Sequence, residues 1–189
     1  GLDLGEVRDF SAICIISTEN KDKYSVVGLL RVKGDDCEGL LKYGSQSEGF
    51  YPHLAKLLTE KLLSPPLLNQ CALVIDGSGP GRQITKSILS GKLAKSKTPI
   101  TPIIIRGYDN KQFQGNDGFV RVSRVDLVSH LAQKLDSRSL VIPAGLPHLE
   151  DLKKELAMLQ GRETRKGSTT KEHDDMAIAL SMCVWLADN

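Results

Sequence analysis

Two apolar periods run along this chain, and each change from one to the other marks an element boundary. Residues 11–17 are rich in Ile and Cys and read as a strand. Residues 24–32, with Val26, Val27, Leu29, Leu30 and Val32, read as a second. The polar piece 19–23 joins them as a hairpin-type connection, and a first strand ending at Asp3 completes a three-stranded antiparallel meander. Residues 34–49 carry little periodicity and read as loop. Leu54, Leu57, Leu58 and Leu62 then fall on one face of a helix over 51–63, which Pro65 and Pro66 end. The continuous apolar run 71–75 suits a strand covered on both faces, and it ends at Asp76. Pro80 and Gly81 open a helix to about Ala94, followed by a core strand at 103–105. Residues 108–118, rich in Gly, Asn and Asp, read as an exposed loop, and 120–122 as a short extended piece. Helices follow at 124–135 and 149–159, each with a Leu/Val stripe, on either side of a small strand at 140–142 closed by Pro143. The last helix, 173–187, is apolar almost all round after Asp175, which predicts deep burial.

Three strands, then alternating strands and helices, describe an α/β domain: a mixed sheet of three antiparallel strands followed by parallel ones, flanked by helices. A length of 189 residues suits one domain with one sizeable core over 1–189. No apolar run reaches the roughly 18–20 residues that span a bilayer, and no signal-peptide pattern precedes the first strand. The chain starts at Gly1 without an initiator Met, which reads as a domain excised from a longer protein or as a processed product. Cys14, Cys37, Cys71 and Cys183 lack metal-ligand spacing and read as reduced thiols in a cytoplasmic protein. The net charge of +2 does not by itself point to nucleic acid, but its distribution is uneven. From Gly81 to Lys111 seven basic residues face one acidic, Asp109, and 161–171 holds four basic residues against one acidic in a polar, Gly-containing segment expected to be mobile.

Carboxylates stand at the ends of three elements. Asp3 ends the first strand, Asp76 ends the apolar strand, and Asp174 and Asp175 open the buried helix. Adjacent parallel strands bring their carboxyl ends to one rim, where open α/β sheets build sites, and a helix packed on the sheet can deliver its first turn there. Carboxylates brought that close do not all stay ionised without a cation. All-oxygen donors favour Mg²⁺ or Mn²⁺, and two such ions about 4 Å apart suit in-line phosphodiester cleavage. Taken singly, Asp174 also reads as a charge complementing the helix dipole, Asp76 as a turn residue and Asp3 as a loop residue. His173, beside the helix acids, is a candidate ligand, proton carrier or orienting group, or a plain helix-start hydrogen-bonder.

These residues resemble the nuclease domain of tailed-phage large terminases, in the RNase H-like superfamily. Gly1-Leu2-Asp3-Leu4-Gly5, with Asp9 and Ser11-Ala12-Ile13, is similar to that family's first motif, and residues 74–81 (Val-Ile-Asp-Gly-Ser-Gly-Pro-Gly) to its second. Arg124-Val125-Asp126-Leu127-Val128 resembles its helix-opening basic-x-Asp-Leu-Val element, with Arg where Lys is usual. Residues 140–143 and 152–156 follow its small strand and Leu/Glu-Leu helix, and His173 to Leu180 its closing His-Asp-Asp helix. The resemblance covers nearly the whole chain in order. It implies an RNase H-like fold and Asp3, Asp76, Asp174 and Asp175 as ligands of two catalytic Mg²⁺ or Mn²⁺ ions. The implied activity is endonucleolytic cleavage of concatemeric double-stranded viral DNA during genome packaging. The implied partners are DNA, an ATPase domain of the same chain, the small terminase subunit and the portal. The implied location is the host cytoplasm, transiently at the procapsid portal, with no membrane. No Gly-x-x-x-x-Gly-Lys-Ser/Thr occurs, so this domain is expected to cut DNA and not to translocate it.

Sequence-tolerant cutting needs phosphate contacts, and the candidates are Arg82 and Lys86, Arg121 and Arg124, and Arg162, Arg165 and Lys166. Three other readings use parts of the same pattern. A Holliday junction resolvase or transposase core shares the acids and metals but takes branched DNA or transposon ends. An actin-like or sugar-kinase ATP-binding fragment shares Asp3-Leu4-Gly5 and Asp76-Gly77-Ser78-Gly79 but gives the helix acids no role. A non-catalytic DNA-binding module leaves the acid set unexplained.

Overall fold

The computed structural model describes residues 1–5, 10–20, 23–33, 50–79, 81–91, 93–107, 113–163 and 173–189. The expected loop at 34–49 lies outside them, as do Cys37 and residues 164–172, which hold Arg165 and Lys166. Strands β2 (Phe10–Asn20) and β3 (Lys23–Lys33) form a long antiparallel pair, and β1 (Leu2–Asp3) pairs antiparallel with β2, giving the expected meander. On the other side of β1, strands β4 (Leu73–Asp76), β5 (Ile100–Arg106) and β7 (Val120–Ser123) continue the sheet in parallel. Two short edge strands, β6 (Phe113–Gln114) and β8 (Leu140–Val141), complete an eight-stranded sheet in the order β6-β7-β5-β4-β1-β2-β3-β8.

Strand parity sends alternate residues to opposite faces, and two cores result. One face, with Leu2, Leu73 and Ile75, packs against α1 (Phe50–Leu62) and α2 (Gly81–Ser90) through Leu54, Leu58, Ile84 and Ile88. The other, with Ala12, Cys14, Val26 and Val74, packs against α3 (Arg124–Asp136), α4 (Leu149–Glu163) and α5 (Asp175–Asp188). Helix α5 lies between β2 and the pair α3 and α4. Met176 to Trp185 are all buried, which explains a helix with no polar side. None of the described helices is long and apolar enough to cross a membrane.

Three elements differ from the sequence expectation. Helix α2 stops at Ser90, four residues early: Gly91 donates to the Ile88 carbonyl in a tight last turn, and a 3₁₀ turn follows at Leu93–Lys95. The basic stretch 81–111 is therefore divided among several elements and forms no single helix face. Part of the expected exposed loop is strand: β6 pairs antiparallel with β7 through a turn in which Gly118, at φ +82°, takes the left-handed backbone that the Asp117-Gly118 pair favours. The final helix begins at Asp175, so His173 and Asp174 stand just before it.

Candidate active site

The register of the sheet places the acids. Leu2 aligns with Ile75 across the parallel β1–β4 pair, so Asp3 and Asp76 run level at the carboxyl ends of neighbouring strands. In the other direction Asp3 pairs with Ala12, and Ala12 with Arg31. Directly paired residues point to one face, so Asp76, Asp3, Ala12 and Arg31 form a row beneath α5. Ala12, fully buried, leaves room for the start of that helix, which carries Asp174 and Asp175 to the same rim.

Close backbone approach fixes this arrangement at two glycines. A Cβ on Gly77 would overlap the Phe119 ring, and a Cβ on Gly81 would lie 2.5 Å from the Asp76 carbonyl oxygen. The chain after β4 can turn sharply into α2 only with glycine at both positions. Ser78 holds the turn from both sides. Its amide donates to Asp76 Oδ1 at 2.8 Å, and its Oγ accepts from the Ile105 amide at 3.1 Å.

The four carboxylates sense one another. Burial first, then the charges of Asp76, Asp175 and Asp174, push the Asp3 carboxyl well above the usual carboxylate range, with Arg124 opposing. Burial also raises Asp76, against the stabilising hydrogen bonds from Ser78. Arg124, set at the start of α3 by the Ser123 cap, forms an ion pair with Asp174. Asp174 occupies the N-cap position of α5 but makes no side-chain capping bond. Glu155 of α4 caps instead: its Oε2 accepts from the Met176 amide at 2.8 Å and the Ala177 amide at 3.0 Å. Glu155 thus does the capping that Asp174, just before the helix, does not. Arg31 Nη2 lies 3.5 Å from Glu155 Oε1 and 3.9 Å from Asp175 Oδ2, and His173 Nδ1 lies 3.8 Å from the same Asp175 oxygen.

Oxygen donors, a partly buried position and mutual repulsion suit a hard divalent cation at Asp3, Asp76 and Asp175. Among the described residues no three acidic, His or Cys side chains already converge on a single cation position. The structure instead turns Asp174 onto Arg124 and brings Arg31 close to Asp175, so arginines supply the positive charge at this rim.

The other expected site residues scatter more widely. Arg82 and Arg121 share one carboxylate: Arg82 Nη2 lies 2.9 Å and Arg121 Nη2 2.7 Å from Asp117 Oδ2, and the Arg121 guanidinium holds Asp117 well below the usual range. Lys86 is exposed on α2, Arg124 belongs to the acidic rim, and Arg162 lies near the end of α4. Arg31, Glu155 and Ser78 join the site without having been expected there. The signal for the first two is a charge in an inward register. Arg31 follows Leu29 at the inward spacing of β3, and Glu155 falls within the Leu152, Leu156, Leu159 stripe of α4, where only a partnered charge is tolerated.

No protein family and no curated protein sequence matches the chain. Among solved structures, the chain over its full length superposes on 82% of the human cytomegalovirus terminase nuclease domain, Mn-soaked and inhibitor-bound, with a TM-score of 0.53 at 12% identity. The protein thus shares its fold with that nuclease domain: an RNase H-like mixed α/β sheet flanked by helices.

Proposed function

We propose that this protein is a two-metal-dependent DNA endonuclease, the nuclease domain of a viral genome-packaging terminase that cleaves concatemeric double-stranded DNA. The observation that carries this reading is the placement of Asp3, Asp76, Asp174 and Asp175, from two strand ends and the start of one helix, at one rim of the sheet. The terminase fold supports it, as do the sequence motifs, which favour the tailed-phage type. Asp3, Asp76, Asp175 and Asp174 would hold the Mg²⁺ or Mn²⁺ ions. Two such ions, when bound, supply the charge that stabilises the attacking and leaving oxygens of an in-line phosphodiester displacement. Ser78 fixes the Asp76 carboxylate, and His173 orients Asp175 from the solvent side. Arg82, Lys86, Arg121 and Arg124 flank the duplex backbone, together with Arg162, Arg165 and Lys166 before the catalytic helix. An ATPase domain of the same chain, the small subunit and the portal are its partners in the host cytoplasm.

The test is plasmid digestion in Mg²⁺, Mn²⁺ or EDTA, with Asp76→Asn and Asp175→Asn in parallel and a four-way junction as a second substrate. Cleavage of linear and supercoiled duplex in Mg²⁺ or Mn²⁺, lost in EDTA and in both variants, is expected. Undiminished nicking in EDTA would sink the metal assignment, and cleavage confined to the junction would reassign the enzyme as a resolvase.

A further inference from the structure

Arg31 is a charged side chain pointing into the core beside the acidic rim, and its contacts are unusual for a guanidinium. It stacks over the Phe10 ring, 4.1 Å from the centroid. Its Nη2 lies between two carboxylates, 3.5 Å from Glu155 Oε1 and 3.9 Å from Asp175 Oδ2, beyond good hydrogen-bond distance of either. Its Nε and Glu155 Oε1 are both buried without a hydrogen bond among the described residues. The cation is therefore ion-paired loosely with both carboxylates and lies nearer Glu155. Glu155 itself is anchored, because its other oxygen accepts both amides of the α5 first turn.

We infer that Glu155 is a positioning residue that draws Arg31 away from Asp175, so that Arg31 competes less with a divalent cation at the Asp175 carboxylate. The inference rests on reading the acidic rim as a metal site. A buried guanidinium beside two carboxylates divides its attraction between them, and removing one charge delivers it to the other. With a neutral residue at 155, Arg31 closes on Asp175 and competes with the incoming cation. Glu155 thus acts on the site through Arg31 as well as through the helix cap. The cap alone would survive replacement by Gln, whose side-chain oxygen still accepts from the helix amides.

The experiment is direct Mn²⁺ binding, read by the electron paramagnetic resonance signal of free Mn²⁺, on wild type, Glu155→Gln, Arg31→Gln and the double variant. Glu155→Gln should weaken Mn²⁺ binding about tenfold, the lower end of what residues behind the ligands usually contribute, with cleavage restored at high Mn²⁺. Arg31→Gln should bind Mn²⁺ several-fold more tightly than wild type and melt at a lower temperature without metal. The double variant should bind Mn²⁺ as tightly as Arg31→Gln alone, because with the competitor gone the charge at 155 no longer matters; such non-additivity is the mark of a coupled pair. Unchanged binding in Glu155→Gln, or a double variant about tenfold or more weaker than Arg31→Gln, overturns the inference and leaves Glu155 as a cap. If Glu155→Gln does not fold, Arg31→Gln decides, and unchanged or weaker Mn²⁺ binding there overturns it. A wild type that binds no Mn²⁺ fails differently, overturning the metal reading itself.

Discussion

Replacing Asp3 with Asn should make the metal-free protein more stable while abolishing its response to metal. Asp3 lies level with Asp76 and beneath Asp174 and Asp175, and burial together with those three charges raises its carboxyl well above the usual range. A carboxyl whose pKa is higher folded than unfolded destabilises the fold once the pH exceeds the unfolded value, roughly 4. The penalty grows until the pH passes the raised folded value and is complete above it. Relieving it should add about 1 kcal/mol at neutral pH, or ~2–4 °C of melting temperature for a domain of this size. The gain should shrink as pH falls towards roughly 4 and vanish below it, where the wild-type carboxyl is protonated in both states. Metal acts in the opposite sense. At a Mn²⁺ concentration 100 times Kd, binding to the folded state alone contributes about 2.7 kcal/mol, or ~5–10 °C, to the wild type. Thermal melts of both proteins with EDTA and with a Mn²⁺ series, at pH 7.5 and near pH 4, read every part of this. An Asp3→Asn protein less stable than wild type in EDTA at neutral pH, or one that keeps the full Mn²⁺ shift, would refute the electrostatic account of the rim.

Asp117→Asn should release Arg82 and Arg121 from their shared carboxylate and tighten duplex binding several-fold at low salt, with a salt slope steeper by up to about two phosphate contacts. An unchanged affinity and slope would remove that surface from the DNA path. Gly77→Ala should force β4 away from the Phe119 ring, lowering stability by about 1–3 kcal/mol and reducing cleavage by displacing Asp76. A melting temperature and cleavage rate equal to wild type would show that the turn absorbs a methyl group. Tyr24→Phe removes the 2.6 Å hydrogen bond to Asp188 and should cost ~1 kcal/mol at neutral pH. Burial pushes Asp188 up, but the Tyr24 hydroxyl and Lys134 outweigh it and hold the carboxyl below the usual range. The stabilisation from that lowering is present above the unfolded carboxylate value of roughly 4 and is lost as pH falls through Asp188's own lower value, so acid unfolding curves of the two proteins should converge there.

Period and punctuation along the chain were enough to locate most elements. The Leu stripes of α1, α3 and α4, the two-faced burial of β4 and the all-round burial of α5 follow from local spacing, because a helix or strand must bury its apolar positions whatever its neighbours are. The end-of-element positions of Asp3, Asp76, Asp174 and Asp175 were equally legible. Register decided the rest. Arg31 enters the rim because β3 pairs with β2 so that Arg31 opposes Ala12, and Ala12 opposes Asp3, a relation no local window contains. Glu155 becomes the cap of α5 only because α4 packs across its start, 21 residues away in sequence at the Met176 amide. Arg82 and Arg121, which looked like free cations in the sequence, share Asp117 once α2 and the β6–β7 turn are brought together. Charge positions can be read along a chain. Which charges neutralise one another depends on distances of a few ångströms between elements, and only tertiary packing sets those.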